Sequence, residues 1–196
     1  MKLLQPYYCN TDTLQLSKNL LGKKIFTNFD NKLTSGIIVE TEAYLGIDDK
    51  ASHAYNGKKT NRTNAMYNKG GLAYVYLCYG MHSLFNIVCN IENIPHAILI
   101  RAIEPIDGID IMNLRREING VNLTNGPGKL SKALGITTGN NNQSLLKNII
   151  WIEDIDNEIF DKNILSVPRI GVDYAGKDAR LPYRFYIKNN KWVSKF

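Results

Sequence analysis

The sequence predicts an α+β fold in a single domain over residues 1–196. Two observations point there. Runs with β character outnumber helical ones and do not alternate with them regularly, which disfavours a doubly wound parallel sheet. The chain has 196 residues, 44% of them hydrophobic, which suits one real core and excludes a disordered chain. No repeat, low-complexity tract or linker divides it.

The elements follow from local pattern. Thr11 to Leu21 reads as a first helix, capped by Thr11 or Asp12, with Leu14, Leu20 and Leu21 on its apolar side and Gly22 as its stop. Lys24 to Thr27 is a short strand, and Gly36 to Tyr44 a second, partly buried one. Gly46 to Gly71 is polar and rich in Asn, Asp, Lys and Gly, so it reads as a long loop of the kind that is usually functional. Gly71 to Ile91 holds two aromatic and β-branched runs around Gly80, a β-hairpin with its tip near Tyr79-Gly80-Met81-His82. Turns normally carry small polar residues, so a Tyr, a Met and a His at a tip point to a wedge or contact surface. Ala97 to Glu104 is a strand ended by Pro105, and Asp107 or Gly108 to Arg116 a short helix. Pro127 precedes a helix through Leu134 that stops at Gly135. Ile149 to Ile155 is a strand, and Arg169 to Val193 contains closing strands broken at Gly176 to Pro182.

Alternation along the second strand puts Glu40, Glu42 and Tyr44 on one face and Val39, Thr41 and Ala43 on the other. A carboxylate two residues from an aromatic ring is a candidate base beside a stacking platform. The same two glutamates also fit a plainer role, facing solvent or pairing with lysines. Net charge is +6 with a pI near 9.1, which favours an acidic partner such as nucleic acid, although a chain rich in Asn, Ile and Lys gains lysines from coding bias alone. Cys9, Cys78 and Cys89 are odd in number and irregular in spacing, so a reducing compartment is expected, with Cys78 and Cys89 as core residues. No signal core precedes Pro6, and the most apolar run, Ala97 to Ile103, is interrupted by Arg101. A soluble cytoplasmic protein without a membrane partner is expected.

Several chemistries fail on the residues. Gly126-Pro127-Gly128-Lys129 lacks the Ser or Thr a phosphate loop needs, because Leu130 follows. His53 is not followed by the pattern of a zinc deaminase, no other metal cluster stands out, and no Ser or Cys nucleophile elbow is present.

Seven motifs occur in order: Ile38-Val39-Glu40-Thr41-Glu42-Ala43-Tyr44-Leu45-Gly46, Ala51-Ser52-His53-Ala54, Arg62-Thr63-Asn64-Ala65-Met66, Ala73 through His82, Asn86-Ile87-Val88, Leu99 through Pro105, and Asn125 through Leu130. Together with Arg169-Ile170-Gly171-Val172 and Pro182-Tyr183-Arg184-Phe185, this chain resembles the 3-methyladenine (alkyladenine) DNA glycosylase family of the mammalian AAG type. The resemblance implies a curved, mainly antiparallel sheet with surrounding helices and a protruding DNA-inserting hairpin. It implies a monofunctional hydrolase, without metal or organic cofactor, that flips an alkylated or deaminated purine out of duplex DNA and leaves an abasic site. Damaged double-stranded DNA is then the partner, a monomer the working form, and the bacterial cytoplasm, at the nucleoid, the place of action.

By resemblance, Glu42 deprotonates or orients the attacking water and Arg101 helps hold it. Tyr44, His53 and Tyr76 sandwich the flipped base, Asn86 disfavours the exocyclic amine of guanine, and Tyr79 fills the gap in the duplex. Met81, His82, Arg62, Lys58 and Lys59 are further DNA contacts, His82 standing where some relatives carry Tyr. Read alone, the tyrosines are also ordinary strand aromatics, and Lys58, Lys59, Arg62 and Lys69 are either a solvated loop or phosphate contacts. Arg101 in an apolar strand needs a buried partner on any reading. A damage binder without chemistry, or an enzyme of RNA or nucleotide metabolism, are the rival functions.

Overall fold

The first hairpin joins β1 (Lys24–Phe29) to β2 (Lys32–Tyr44) in a computed structural model that describes residues 1–194. Its turn is Asp30-Asn31, both left-handed, with φ of 52° and 60°. Two such residues turn the chain with the twist that paired strands require, and Asp and Asn tolerate the conformation better than most. The sequence reading starts β2 at Gly36 and misses this hairpin; the polar pair between two β-type runs is its signal. β2 is thus 13 residues long and forms the spine of the sheet.

A meander follows through β3 (Leu72–Cys78), β4 (His82–Cys89) and β5 (His96–Asp107), and β5 pairs along β2. β6 (Ile150–Glu153) extends the sheet beyond β1, and β8 (Arg184–Ile187) pairs with β2 and with β7 (Ile164–Val167). Every pairing is antiparallel, in the order β3-β4-β5-β2-β1-β6 with β8 and β7 branching from β2. The sheet curls and carries helices beside it, the α+β architecture expected. β1 covers the first part of one edge of β2 and β8 the later part, so Glu40 to Glu42 have a strand on each side.

Among the described residues four α-helices accompany the sheet. α1 (Gln5–Tyr8) is one turn that the sequence reading does not anticipate. α2 (Thr13–Asn19) is shorter than the expected span, because Asp12 caps it by accepting from the Gln15 amide at 2.9 Å. Its buried side is Leu16 and Leu20, while Leu14 is only half-buried. α3 (Ile109–Arg116) and α4 (Pro127–Leu134) stand where expected, α4 starting on its proline and stopping at left-handed Gly135. Pro105 does not end its strand. Ser35 pairs with Asp107 and Gly36 with Pro105, so Ile106 is an extra residue and the proline sits at a bulge that needs no ladder N–H. The closing segment also differs. Between Arg169 and Val193 the one strand is Arg184–Ile187, its partner β7 lies before Arg169, and Asp173–Arg180 is 3₁₀ turn. These short, half-exposed runs carry too little alternation to be read.

The two faces of the sheet differ. Ala73, Val75, Phe85, Ile87, Ile98, Ile100 and Ile103 point to the main core, which α2, α3 and α4 close with Leu16, Leu20, Met112, Leu130 and Leu134. Thr41 donates to the Ser17 carbonyl of α2 at 3.0 Å on this side. The opposite face holds a small cluster of Ala54, Ala65, Met66, Tyr74, Val88 and Ala97 under the loop from Gly46 to Gly71. That loop is a chain of 3₁₀ turns at Gly46–Asp48, Tyr55–Gly57 and Asn64–Tyr67. No helix among the described residues is long and apolar enough to cross a membrane.

Candidate active site

Period-two alternation lays one row of residues straight across this second face. Tyr74 pairs with Asn86, Asn86 with Leu99, Leu99 with Glu42 and Glu42 with Arg184. Five antiparallel strands in register therefore place side chains from residues 42 to 184 side by side.

Two opposed bulges break the register beside Glu42. Ile38 pairs with Ile103, Glu40 with Ala102 and Thr41 with Ile100, so Val39 on β2 and Arg101 on β5 are each the extra residue. The bulge turns Arg101 into the carboxylate face, where its Nε donates to Glu40 at 3.0 Å and its Nη1 lies 3.3 Å from Glu42. Glu40 and Glu42 are both fully buried and Arg101 is 4% exposed. The plainer role of glutamates in solvent or on lysines is overturned, since arginines hold both. Burial works against the charge of Arg101, and Glu42 and Glu40 outweigh it and raise its pKa.

The two glutamates are held differently. Glu40 meets Arg101, the Arg184 Nη1 at 3.0 Å, the Ser194 amide at 2.8 Å and the Ser194 hydroxyl, so it ties β2, β5, β8 and the end of the described chain together. Glu42 receives the Ile170 amide at 2.9 Å on Oε1 and the Tyr44 hydroxyl at 2.8 Å on Oε2. Burial, then the charge of Glu42, raises the Tyr44 pKa well above its ordinary value, so this phenol stays a donor.

Above this floor lies a cavity of about 490 Å³. Tyr44, His53, Tyr76, Asn86, Arg62, Arg101 and Tyr79 line it, joined by Tyr74, Leu99, Ile170 and Tyr174. Glu42 contributes no wall; it reaches the cavity through the groups bonded to it, Tyr44, Arg101 and Ile170. His53 and Tyr76 meet edge to face with ring centroids 4.6 Å apart. The His53 pKa falls to about 4, through burial first and the charges of Arg62 and Lys58 next, so the ring is neutral at neutral pH. Arg62 donates to its Nε2 at 3.3 Å, which leaves Nδ1 protonated and donating to the Tyr74 hydroxyl at 2.8 Å. Asn86 is 3% exposed, and its Nδ2 donates to the carbonyls of Tyr74 at 3.1 Å and Leu84 at 3.3 Å. Its orientation is thereby fixed.

The hairpin tip stands at the rim. Cys78 pairs with His82, and Tyr79 and Gly80 turn the chain with φ of 50° and 70°. Tyr79 is 84% exposed and Met81 71% exposed. His82 is exposed too, and its side chain packs so close to Gly128 at the start of α4 that a Cβ there would lie 3.0 Å from the His82 Cβ and 3.1 Å from its ring. Lys58, Lys59 and Lys69 are exposed on the loop, with Lys59 over the Tyr67 ring at 5.0 Å. Cys89 is a core residue whose thiol burial pushes up to about 12, but Cys78, expected in the core, is half-buried and lines the cavity because it ends its strand at the rim. Among the described residues no group of three or more His, Cys, Asp or Glu side chains is arranged to hold a metal ion.

Sequence reasoning misses the role of Arg169, which is buried and backs the Tyr44 ring without lining the cavity itself. It grips Asp49 through both Nη atoms, with Nη2 to Oδ1 at 2.8 Å, and donates to the Ala43 carbonyl at 2.9 Å. Its guanidinium lies 4.8 Å from the Tyr44 ring and 5.3 Å from the Tyr183 ring. The Asp49–Arg169 pair is separated by 120 residues, so no local spacing announces it.

The methylpurine-DNA glycosylase family matches residues 7–191 of this chain. The chain is 49% identical over 192 residues to a Chlamydia felis protein named "Putative 3-methyladenine DNA glycosylase", covering 96% of this chain and 97% of that one. Proteins of the same name are 45% identical in Clostridium tetani, over the whole of both chains, and 44% identical in Bacillus cereus, over 97% and 98%. The chain belongs to the methylpurine-DNA glycosylase family, and with it to the hydrolases of DNA alkylation repair.

Proposed function

We propose that this glycosylase hydrolyses the N-glycosidic bond of alkylated and deaminated purines in duplex DNA, 3-methyladenine foremost and hypoxanthine and ethenoadenine beside it, in the manner of the mammalian AAG type. One observation carries the reading: an aromatic cavity rests on a buried glutamate–arginine floor next to an exposed apolar hairpin tip. The bond to be cut lies inside the base stack, and flipping the nucleotide costs a few kcal/mol. Insertion of Tyr79, supported by Met81, offsets this by filling the gap. The flipped purine enters between Tyr44 on one side and His53 and Tyr76 on the other. Asn86 excludes guanine at the edge of the ring. Lys58, Lys59 and His82 face the DNA backbone, and Arg62 reaches it when its guanidinium leaves the Tyr76 ring.

Glu42 takes a proton from water as its oxygen attacks the anomeric carbon, and the bonding pair of the glycosidic bond leaves with the base. A base that carries a positive charge departs neutral, which is why alkylated purines leave most readily. Arg101 and the Ile170 amide keep the carboxylate aimed. The enzyme works as a monomer on duplex DNA at the nucleoid, within the cytoplasm. Incubation with duplex oligonucleotides that each carry one lesion, followed by alkaline cleavage, tests the proposal. Strand cleavage at 3-methyladenine and hypoxanthine, and none at undamaged purines, is expected. Release of base equally from free nucleotides or RNA would overturn it.

A further inference from the structure

Arg62 has an unusual place for a cation on an exposed loop. Its guanidinium lies over the Tyr76 ring, 4.7 Å from the centroid, and its Nη2 reaches the Nε2 of His53 at 3.3 Å. The side chain lines the same cavity as both rings. Among the described residues no carboxylate pairs with it. What holds Arg62 is therefore one stack on Tyr76, one long hydrogen bond to the neutral His53 ring and a hydrogen bond with the Tyr74 hydroxyl, all to uncharged groups. No ion pair anchors it, and as an exposed residue it can swing out once these contacts are exchanged.

A guanidinium is flat, delocalised and positive. Those are the properties that an alkylated purine offers to an electron-rich ring. We propose that Arg62 is a displaceable plug of the aromatic cage: it covers Tyr76 in the free protein, and a purine enters only by exchanging its own stacking for that of the guanidinium. The plug rests on reading the cavity as a base pocket. It makes Arg62 a specificity-determining residue, because every base that enters must first replace a cation–π contact. Poor stackers stay out, and entry is favoured for bases delivered by bound DNA, whose high local concentration offsets the exchange. Arg169 over Tyr44 is the contrast: it is buried and doubly bonded to Asp49, so it is a fixed support behind the ring.

The test is direct binding of the fluorescent free base 1,N6-ethenoadenine to the intact protein, read by quenching, which needs no turnover. Arg62→Ala is expected to bind it about five- to tenfold more tightly than the unaltered protein, the scale of one lost cation–π contact. Arg62→Lys keeps the charge without the flat stack and falls between them. Equal or weaker binding by Arg62→Ala overturns the plug and makes Arg62 part of the wall. Arg62 is exposed, so both variants should keep the melting temperature of the parent. Excision assays on alkylated DNA run alongside separate the two readings. Excision with unchanged probe affinity removes the plug alone, whereas tighter probe binding without excision removes the proposed activity and keeps the plug.

Discussion

The floor of the cavity and the tip of the hairpin stand side by side and are built on opposite principles. At the floor, Glu40, Glu42 and Arg101 are sealed from solvent, and the charged atoms have partners fixed by strand register and by the backbone at Ile170 and Ser194. At the tip, Leu77, Tyr79 and Met81 leave large apolar side chains in water, on a turn bonded to itself by the Met81 amide and the Cys78 carbonyl. Exposed clusters of this kind mark surfaces that wait for a partner. Burying charge costs stability unless every charge is paired, and the sheet accepts that cost to hold a carboxylate in one orientation. On the proposed function, the tip keeps its binding energy in reserve for DNA. Substitutions at the floor should therefore act on chemistry or folding, and substitutions at the tip on binding alone.

The largest effect belongs to Glu42. Glu42→Gln keeps the shape and removes the proton acceptor, so single-turnover excision should fall by about 10²- to 10⁴-fold while lesion binding stays within about tenfold. Near-normal excision would show that Glu42 is not the base. Glu40 sharpens the comparison, since it lies on the same strand face yet is saturated by Arg101, Arg184 and Ser194. Glu40→Ala removes the carboxylate shared by Arg101 and Arg184, leaving Arg101 to Glu42 and Arg184 to the Pro168 carbonyl, and should cost about 3–5 kcal/mol in denaturant unfolding. If it folds normally and loses only activity, the division between an anchoring and a reacting glutamate is wrong.

The tip comes next. Tyr79→Ala should weaken binding to lesion duplex by about 1–3 kcal/mol, the scale of one lost stacking contact. Stability should not change, because Tyr79 is 84% exposed and packs on nothing it would abandon. Binding to the same lesion in single strand should change much less, since no gap needs filling. Equal losses on both substrates would mean that Tyr79 is a general contact.

What the sequence disclosed follows the same division. Alternation along β2 put Glu40, Glu42 and Tyr44 on one face, and Arg101 in an apolar strand demanded a buried partner; both are met in one cluster. An aromatic hairpin tip stood out because turns seldom carry Tyr and Met, and the hairpin lies between Leu72 and Cys89 as read. The hidden parts are those made by long-range register. The bulges at Val39 and Arg101 exist only when β2 and β5 are aligned. Asp49 finds Arg169, and Glu40 finds Ser194, across more than a hundred residues with no local pattern on either side. The stack of Arg62 on Tyr76 was equally unreadable, because it joins a loop to a strand through side chains alone.

Asn86 lies between the two regions and yields the smallest effect. It stands in the row from Tyr74 to Glu42, lines the cavity, and has both hydrogens of its amide nitrogen committed to the carbonyls of Tyr74 and Leu84. A side chain locked in this way makes a rigid edge, and a rigid edge can reject the exocyclic amine that distinguishes guanine from hypoxanthine. Serine is the better probe, because its hydroxyl can still donate to one of the two carbonyls, whereas alanine leaves both short of a donor. Asn86→Ser should raise excision of guanine relative to hypoxanthine by about tenfold, since a single steric contact is worth about 1–3 kcal/mol. Parallel assays on guanine and hypoxanthine duplexes measure the ratio, and a thermal melt shows that the variant is folded. An unchanged ratio in a variant that still cuts hypoxanthine assigns Asn86 to the scaffold with Glu40. A changed ratio sets it beside Tyr76 as a residue that the entering base meets.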